Sequence, residues 1–203
     1  AQDRYQNYYP GIRLIMKPDV LPGVVRKAVY GPVGELMDVP ETLTQAIDTV
    51  LGGRSQNIVV AKVETANACI ELLKKHRAGR ETFLPLDNLH FRSLDSRGRA
   101  EILKQSGVYG VASELVSCDA AVRPAIDSLL GRVVVVRHFD AAKPIRKRFR
   151  QLTIVTLSGE VFYPGGAIVG GTSKKQKNSP IAHKAELARL QAELKTLKSE
   201  GAV

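Results

Sequence analysis

The stretch YGPVGELMDVPETLTQAIDTVLG, residues 30–52, returns 79 residues later as YGVASELVSCDAAVRPAIDSLLG, residues 109–131. Nine of the 23 aligned positions are identical without a gap. They include Tyr30/Tyr109, Gly31/Gly110, Glu35/Glu114, Leu36/Leu115 and the run Ala46-Ile47-Asp48 against Ala125-Ile126-Asp127. Each copy then leads into a β-branched run, Ile58-Val59-Val60 and Val133-Val134-Val135-Val136, the composition of buried strands. Such a recurrence predicts two similar half-units related by an internal pseudo-twofold. That plan suits an assembly module better than an enzyme with one pocket. The alternative is that two unrelated helix–turn–strand units drifted to a similar composition.

The 203 residues suffice for one large or two small domains with an ample core. A hydrophobic content of 44% argues for a folded globule, and with no Trp and 5% aromatics the core must be aliphatic. Cys69 and Cys118 stand in different halves without CxxC or Cys/His spacing, as expected of a reducing compartment. No apolar run approaches the length of a membrane span, and AQDRYQNYYP at the start does not read as a signal peptide. The expected setting is therefore the cytoplasm, with no membrane partner.

Thirty basic residues against 20 acidic ones leave a formal charge of +10. Much of the surplus is clustered: Lys143, Arg146, Lys147, Arg148 and Arg150; then Lys74, Lys75, His76, Arg77 and Arg80; then Lys174, Lys175 and Lys177. Clusters of this kind can neutralise phosphates and release counterions, and each can equally be a solvated helix face.

Periodicity predicts, in the first half, strands near 28–33 and 35–39, a helix over 41–51, a strand at 58–63, a helix at 65–76 and a strand at 82–86. The second half repeats the order, with a helix at 120–130, a strand at 132–137, a helix at 141–150 and a strand at 153–157. The last strand is expected to form a hairpin with 160–163 around Ser158-Gly159. The polar stretch 88–107 reads as the connection between halves. From about Ser173 the chain turns polar and then carries Leu187, Leu190, Leu194 and Leu197 at coiled-coil spacing. Ser179-Pro180 supplies the N-cap and first helical position. Two heptads are too short to be stable alone, so this helix reads as the stump of a longer one. Residues 1–9 are expected to be its partner helix, stopped by Pro10-Gly11. The fold class is α+β (mixed α/β), two pseudo-repeated subdomains flanked by antiparallel coiled-coil ends. The expected divisions are 1–10 (N-terminal stump), 11–95 and 96–173 (the subdomains), and 174–203 (basic linker and C-terminal stump).

The sharpest local signal is the run Gly159, Gly165, Gly166, Gly170 and Gly171. Gly165-x4-Gly170-Gly171-Thr172 superficially resembles a phosphate loop, but Gly171 stands where the lysine that reaches the phosphates is required. Two readings remain. The glycines serve ordinary turns, or they let a second backbone approach a β-edge. The histidines at 76, 90, 138 and 183 lack ligand spacing, and neither GxSxG nor HExxH occurs. Asp48 and Asp127 follow Ala-Ile on matching helices, which favours capping or packing over paired acid–base chemistry. No catalytic residue is expected.

Four blocks taken together, GELMDVPETLTQAIDTVLGGRSQNIVV, GRETFLPL, GVASELVSCDAAVRPAIDSLLGRVVVV and IVTLSGEVFYPGGAIVGG, resemble the hinge domain of bacterial SMC (structural maintenance of chromosomes) proteins. The likeness covers roughly residues 9–171, with the blocks in the family's order. It implies a homodimerisation module in which the first subdomain of each chain meets the second of the other. Gly159, Gly165, Gly166, Gly170 and Gly171 are then at the contact. It also implies DNA binding, single-stranded in preference and double-stranded possible, through lysines after the last glycines, here Lys174, Lys175 and Lys177. Arg146, Lys147 and Arg148 join that surface on charge alone. Glu81 departs from the family's small residue. No cofactor is implied for this fragment, which should neither bind nor hydrolyse ATP. ATP, Mg and kleisin-type subunits belong to the head domains of a full-length relative, and the implied biology is chromosome condensation and segregation at the nucleoid. A stand-alone basic nucleic-acid-binding module with a coiled-coil partner helix is the runner-up, and a degenerate nucleotide-binding enzyme is third.

Overall fold

The structure, a computed structural model, describes residues 3–172 and 179–200. The chain enters through a 3-10 turn, Asp3–Tyr5, and two short helices, α1 (Pro10–Ile15) and α2 (Gly23–Lys27). The first half then follows as β1 (Val29–Pro32), α3 (Val33–Leu36), β2 (Met37–Asp38), α4 (Thr44–Leu51), β3 (Ile58–Val60), α5 (Val63–His76) and β4 (Phe83–Pro85). After α6 (Ser96–Leu103) the order recurs as β5 (Val108–Val111), α7 (Ala112–Leu115), β6 (Ser117–Cys118), α8 (Arg123–Leu130), β7 (Val133–Val136), α9 (Phe139–Arg148) and β8 (Thr153–Thr156). Two more strands, β9 (Val161–Phe162) and β10 (Ile168–Val169), extend the second half, and α10 (Pro180–Glu200) leaves the globule.

The recurrence extends to hydrogen-bond register. β1 runs antiparallel to β3 and β3 parallel to β4, while β5 runs antiparallel to β7 and β7 parallel to β8. Each antiparallel pair slips at the same repeated glycine, Gly31 at φ +124° and Gly110 at φ +156°, a bulge that side-chain-bearing residues fit poorly. The halves are joined by a two-stranded ladder, β2 against β6, in which Asp38 faces Ser117. Those two residues are one repeat offset apart, so the pseudo-twofold axis passes through their pairing. The mixed α/β architecture agrees with the sequence reading in nearly every element.

The largest core cluster belongs to both halves. Ile47, Val50 and Leu51 of α4 lie with Ile126 and Leu130 of α8, Val59 of β3, and Val135 and Val155 of the second sheet. Two satellite cores serve one half each: Ile12, Ile15 and Leu73 pack against β3, and Ile102, Ala142 and Ile145 pack against β7 and β8.

Three sequence expectations change. The strand expected at 35–39 is a helical turn followed by a two-residue strand. The chain must leave the first sheet to reach β6, so tertiary pairing overrides the local β-pattern. The connection 88–107 contains α6, whose N-cap is Asp95, with Oδ1 accepting from Gly98 N at 2.6 Å. Only Ile102 of that helix is fully buried, too little for a visible periodicity. Residues 3–9 make a 3-10 turn, Asp3–Tyr5, and an irregular stretch rather than a helix, and Pro10-Gly11 opens α1 rather than stopping a helix. Proline is tolerated at a first helical position because that N–H has no intrahelical partner.

Glu81 explains the start of α1. Its carboxylate accepts the backbone N–H groups of Gly11 and Ile12, while burial pushes its pKa up. A Cβ on Gly11 would lie 2.5 Å from Glu81 Oε1, so glycine and carboxylate require each other. Glu81→Ala should lower stability by about 1 kcal/mol, the usual cost of losing a helix cap, in a urea titration.

Candidate oligomerisation surface

The second sheet runs β10-β9-β8-β7-β5, which leaves β10 at its edge. β10 pairs with β9 through Ile168↔Phe162 and Val169↔Val161. Its two side chains, Ile168 and Val169, are 54% and 53% exposed. Soluble proteins usually blunt such an edge with charge, proline or a covering segment. This one is apolar and flanked by glycine.

The five glycines do different things. Gly159, at φ +94°, sits in the β8–β9 turn, and a Cβ there would lie 3.1 Å from Thr49 Oγ1. Gln45 Nε2 donates to Ser158 O at 2.8 Å beside it. Gly159 thus packs against α4 of its own chain. Gly166, at φ +92°, closes the β9–β10 turn by donating to Tyr163 O. Gly171 is at φ +118° with open space around it. Gly170 faces Glu160, whose Cγ would lie 3.1 Å from an added Cβ. Gly165 has neither a positive φ nor a neighbour within 4 Å, so among the described residues nothing requires a glycine there. Glu160 itself is held by the hydroxyls of Thr156 and Ser158, which lower its pKa.

The first sheet, β1-β3-β4, ends at β4, which is hydrogen-bonded to β3 on one side. β4 occupies the position that β8 holds in the second half. On the far side of β8 lies β9, antiparallel. On the far side of β4 the sheet of this chain ends. Among the described residues the end strands are β1 and β4 in the first sheet and β5 and β10 in the second.

The basic residues separate in the same way. Lys174, Lys175 and Lys177 lie outside the described residues. Lys147 is exposed. Arg148 pairs with Glu101 at 3.0 Å. Arg146 is held within the fold: its guanidinium donates to the carbonyls of Leu152 (2.6 Å), Phe149 (2.8 Å) and Tyr163 (3.2 Å), and burial lowers its pKa. It clasps α9 to the segments that follow. Charge counting could not reveal this, because it does not show the turn after α9 and the Tyr163 carbonyl converging on one guanidinium.

At the base of α10, Ser179 Oγ accepts from Ala182 N at 3.0 Å, and the same hydroxyl bonds Asp48. Asp48 is buried, and desolvation raises its pKa against that bond. Lys184 Nζ donates to Met37 O at 2.8 Å and pairs with Asp38 at 3.2 Å, so α10 grips the strand that joins the halves. Leu187, Leu190, Leu194 and Leu197 are all exposed along it. Among the described residues no His/Cys/Asp/Glu group is arranged to hold a metal, and no helix is long and apolar enough to cross a membrane.

Comparison with known proteins gives a consistent result. Residues 26–146 match the model of the SMC proteins flexible hinge domain. The chromosome partition protein Smc of Lactiplantibacillus plantarum is 35% identical over 201 residues, covering 98% of this chain and 17% of that protein. The chain spans about a sixth of the length of the curated relatives it matches. Among solved structures, the asymmetric dimer of the Geobacillus stearothermophilus SMC hinge domain superposes with a TM-score of 0.85 at 37% identity, covering 99% of this chain and 79% of that one. The Pyrococcus furiosus SMC hinge domain follows at 0.66 and 29% identity, covering 83% and 82%.

Proposed function

The chain belongs to the family of SMC flexible hinge domains, and from that premise we propose that it is a homodimerisation module that closes through the sheet edges at β4 and β10. β10 of one copy adds to β4 of the other, and the twofold repeats the contact on the opposite side. The observation that carries this reading is the apolar, uncharged edge at Ile168 and Val169, which a partner strand would cover. The glycines around it, Gly165 above all, leave room for a second backbone. A ring of this kind pairs β4 and β10 in both copies, an isologous arrangement, and the Geobacillus relative is itself a dimer of hinge domains.

Hydrogen exchange tests the pairing. Amides in 83–86 and 167–171 should be protected together in the dimer. Both sets should lose protection together in the Ile168→Lys/Val169→Lys variant. Loss at β10 alone would remove β4 as the partner edge.

The module also binds DNA, on this reading, near the junction with α10 through Lys174, Lys175 and Lys177, with Lys147 contributing. The support is the net charge of +10 and the polybasic run beside the last glycines. Each lost phosphate contact lowers the salt slope by about 0.7 for single strands and 0.9 for duplex. Changing all three lysines to glutamine should flatten that slope. Arg146→Ala should leave the slope unchanged while costing about 2 kcal/mol of stability, since three carbonyls lose a charged donor. A flattened slope in Arg146→Ala would place that residue on the DNA surface. The parent protein would be a chromosome-partition ATPase whose ATP, Mg and kleisin-type subunits engage heads outside this chain. Its site of action would be the nucleoid.

A further inference from the structure

The seat that holds α10 in the first half exists a second time. In the first seat, Ser179 bonds Asp48, Ile181 is buried in the shared core, and Lys184 caps Met37 O. Pro180 lies over Gly34, its Cβ 3.5 Å from where a Gly34 Cβ would stand. The N-terminal segment completes it, with Arg4 Nε donating to Glu35 at 2.9 Å and Tyr8 OH to Glu35 at 3.1 Å. The repeat offset maps Gly34, Glu35, Met37 and Asp48 onto Ser113, Glu114, Val116 and Asp127. Ser113, Glu114 and Asp127, with Phe91, Leu94 and Arg123, line an open cavity of about 310 Å³.

The second seat is half furnished by its own chain. The segment leading into α6 takes the part of the N-terminal segment, and Arg99 forks onto Glu114 at 2.6 and 2.8 Å where Arg4 reaches Glu35 through Nε. Arg123 takes the part of Lys184, donating to Ser113 O at 2.7 Å and Val116 O at 3.3 Å. What has no counterpart is α10. Asp127, the equivalent of the aspartate that holds the Ser179 hydroxyl, lies 3.9 Å from Arg123, beyond hydrogen-bond reach.

We propose that this cavity is a second helix seat, which receives the N-terminal turn of a partner protein's helix. The seat defines the partner's chemistry. A Ser or Thr N-cap would bond Asp127, a proline or small residue would follow over Ser113, and an aliphatic residue would fill the cavity beside Leu94. Because Arg123 already caps the Val116 carbonyl, the equivalent of the Met37 carbonyl that Lys184 caps, the incoming helix needs no lysine at the fifth helical position. A glutamate there would instead meet Arg123 and favour the positive end of its own helix. The proposal does not depend on how the two copies dimerise.

The probe is a synthetic peptide of residues 179–195 carrying Lys184→Glu, titrated into the intact, isotope-labelled protein. Saturable amide shifts are expected at Ser113, Glu114, Asp127 and Gly131. Ser179→Ala in the peptide, or Asp127→Ala in the protein, should weaken binding about fivefold, the usual worth of an N-cap. Asp127→Asn, which keeps an acceptor, should retain it. Absence of saturable shifts at millimolar peptide would overturn the proposal. So would equal binding by the Ser179→Ala peptide, or shifts centred on Gly34 and Asp48, which would report displacement of α10 from the first seat.

Discussion

Replacing Ile168 and Val169 together by lysine is expected to turn the dimer into a folded monomer. Both side chains are more than half exposed in the single chain, so lysine there meets water and leaves the fold intact. In the dimer each contact would have to bury two ammonium groups, and the twofold doubles that burden. Truncating a buried anchor in an interface typically costs 2 kcal/mol or more, and burying an unpaired charge costs further. An increase in Kd of about a thousandfold is therefore a lower bound, from about 4 kcal/mol. Sedimentation across a concentration series reads the mass, and thermal melting checks that the monomer stays folded. The obvious alternative, glutamate at Gly170 and Gly171, is a poorer test. Gly171 sits at φ +118°, and Gly170 faces Glu160, so those changes strain the chain and oppose like charges before any partner is involved.

Ile47→Ala should cost about 3–4 kcal/mol and destabilise both halves at once. Ile47 is fully buried in a core cluster that includes Ile126, Val135 and Val155 of the second half, and large-to-small changes at such sites leave a cavity that the surroundings only partly close. With one shared core the halves should unfold as a single cooperative unit. Urea titration followed at the amides of Val59 and Val155 should give one midpoint, shifted equally in the variant. Separate midpoints would mean that the halves are independent.

Much of this was legible in residues. The repeat at 30–52 and 109–131 predicted the pseudo-twofold, and the Asp38–Ser117 pairing places its axis. α4, α5, α8 and the β8–β9 hairpin follow from periodicity and from Ser158-Gly159. The Ser179-Pro180 start of α10 is where capping rules put it. What was hidden depends on the third dimension. β2 reads as part of a longer strand because its partner, β6, is 79 residues away. Glu81 looks like a stray surface acid until α1 is seen beginning on it. Arg146 looks like its neighbours Lys147 and Arg148, and only the fold brings three carbonyls to it. The glycine run reads as one motif, yet Gly159 packs on its own chain and Gly166 closes a turn. Gly165 is left with no requirement among the described residues.

The most direct test of the central claim is the solution mass of the unaltered chain by sedimentation equilibrium from nanomolar to micromolar concentration. The account predicts twice the 22.1 kDa of the single chain throughout the micromolar range, falling to the monomer in the Ile168→Lys/Val169→Lys variant. A chain that sediments at 22.1 kDa at micromolar concentration would contradict it.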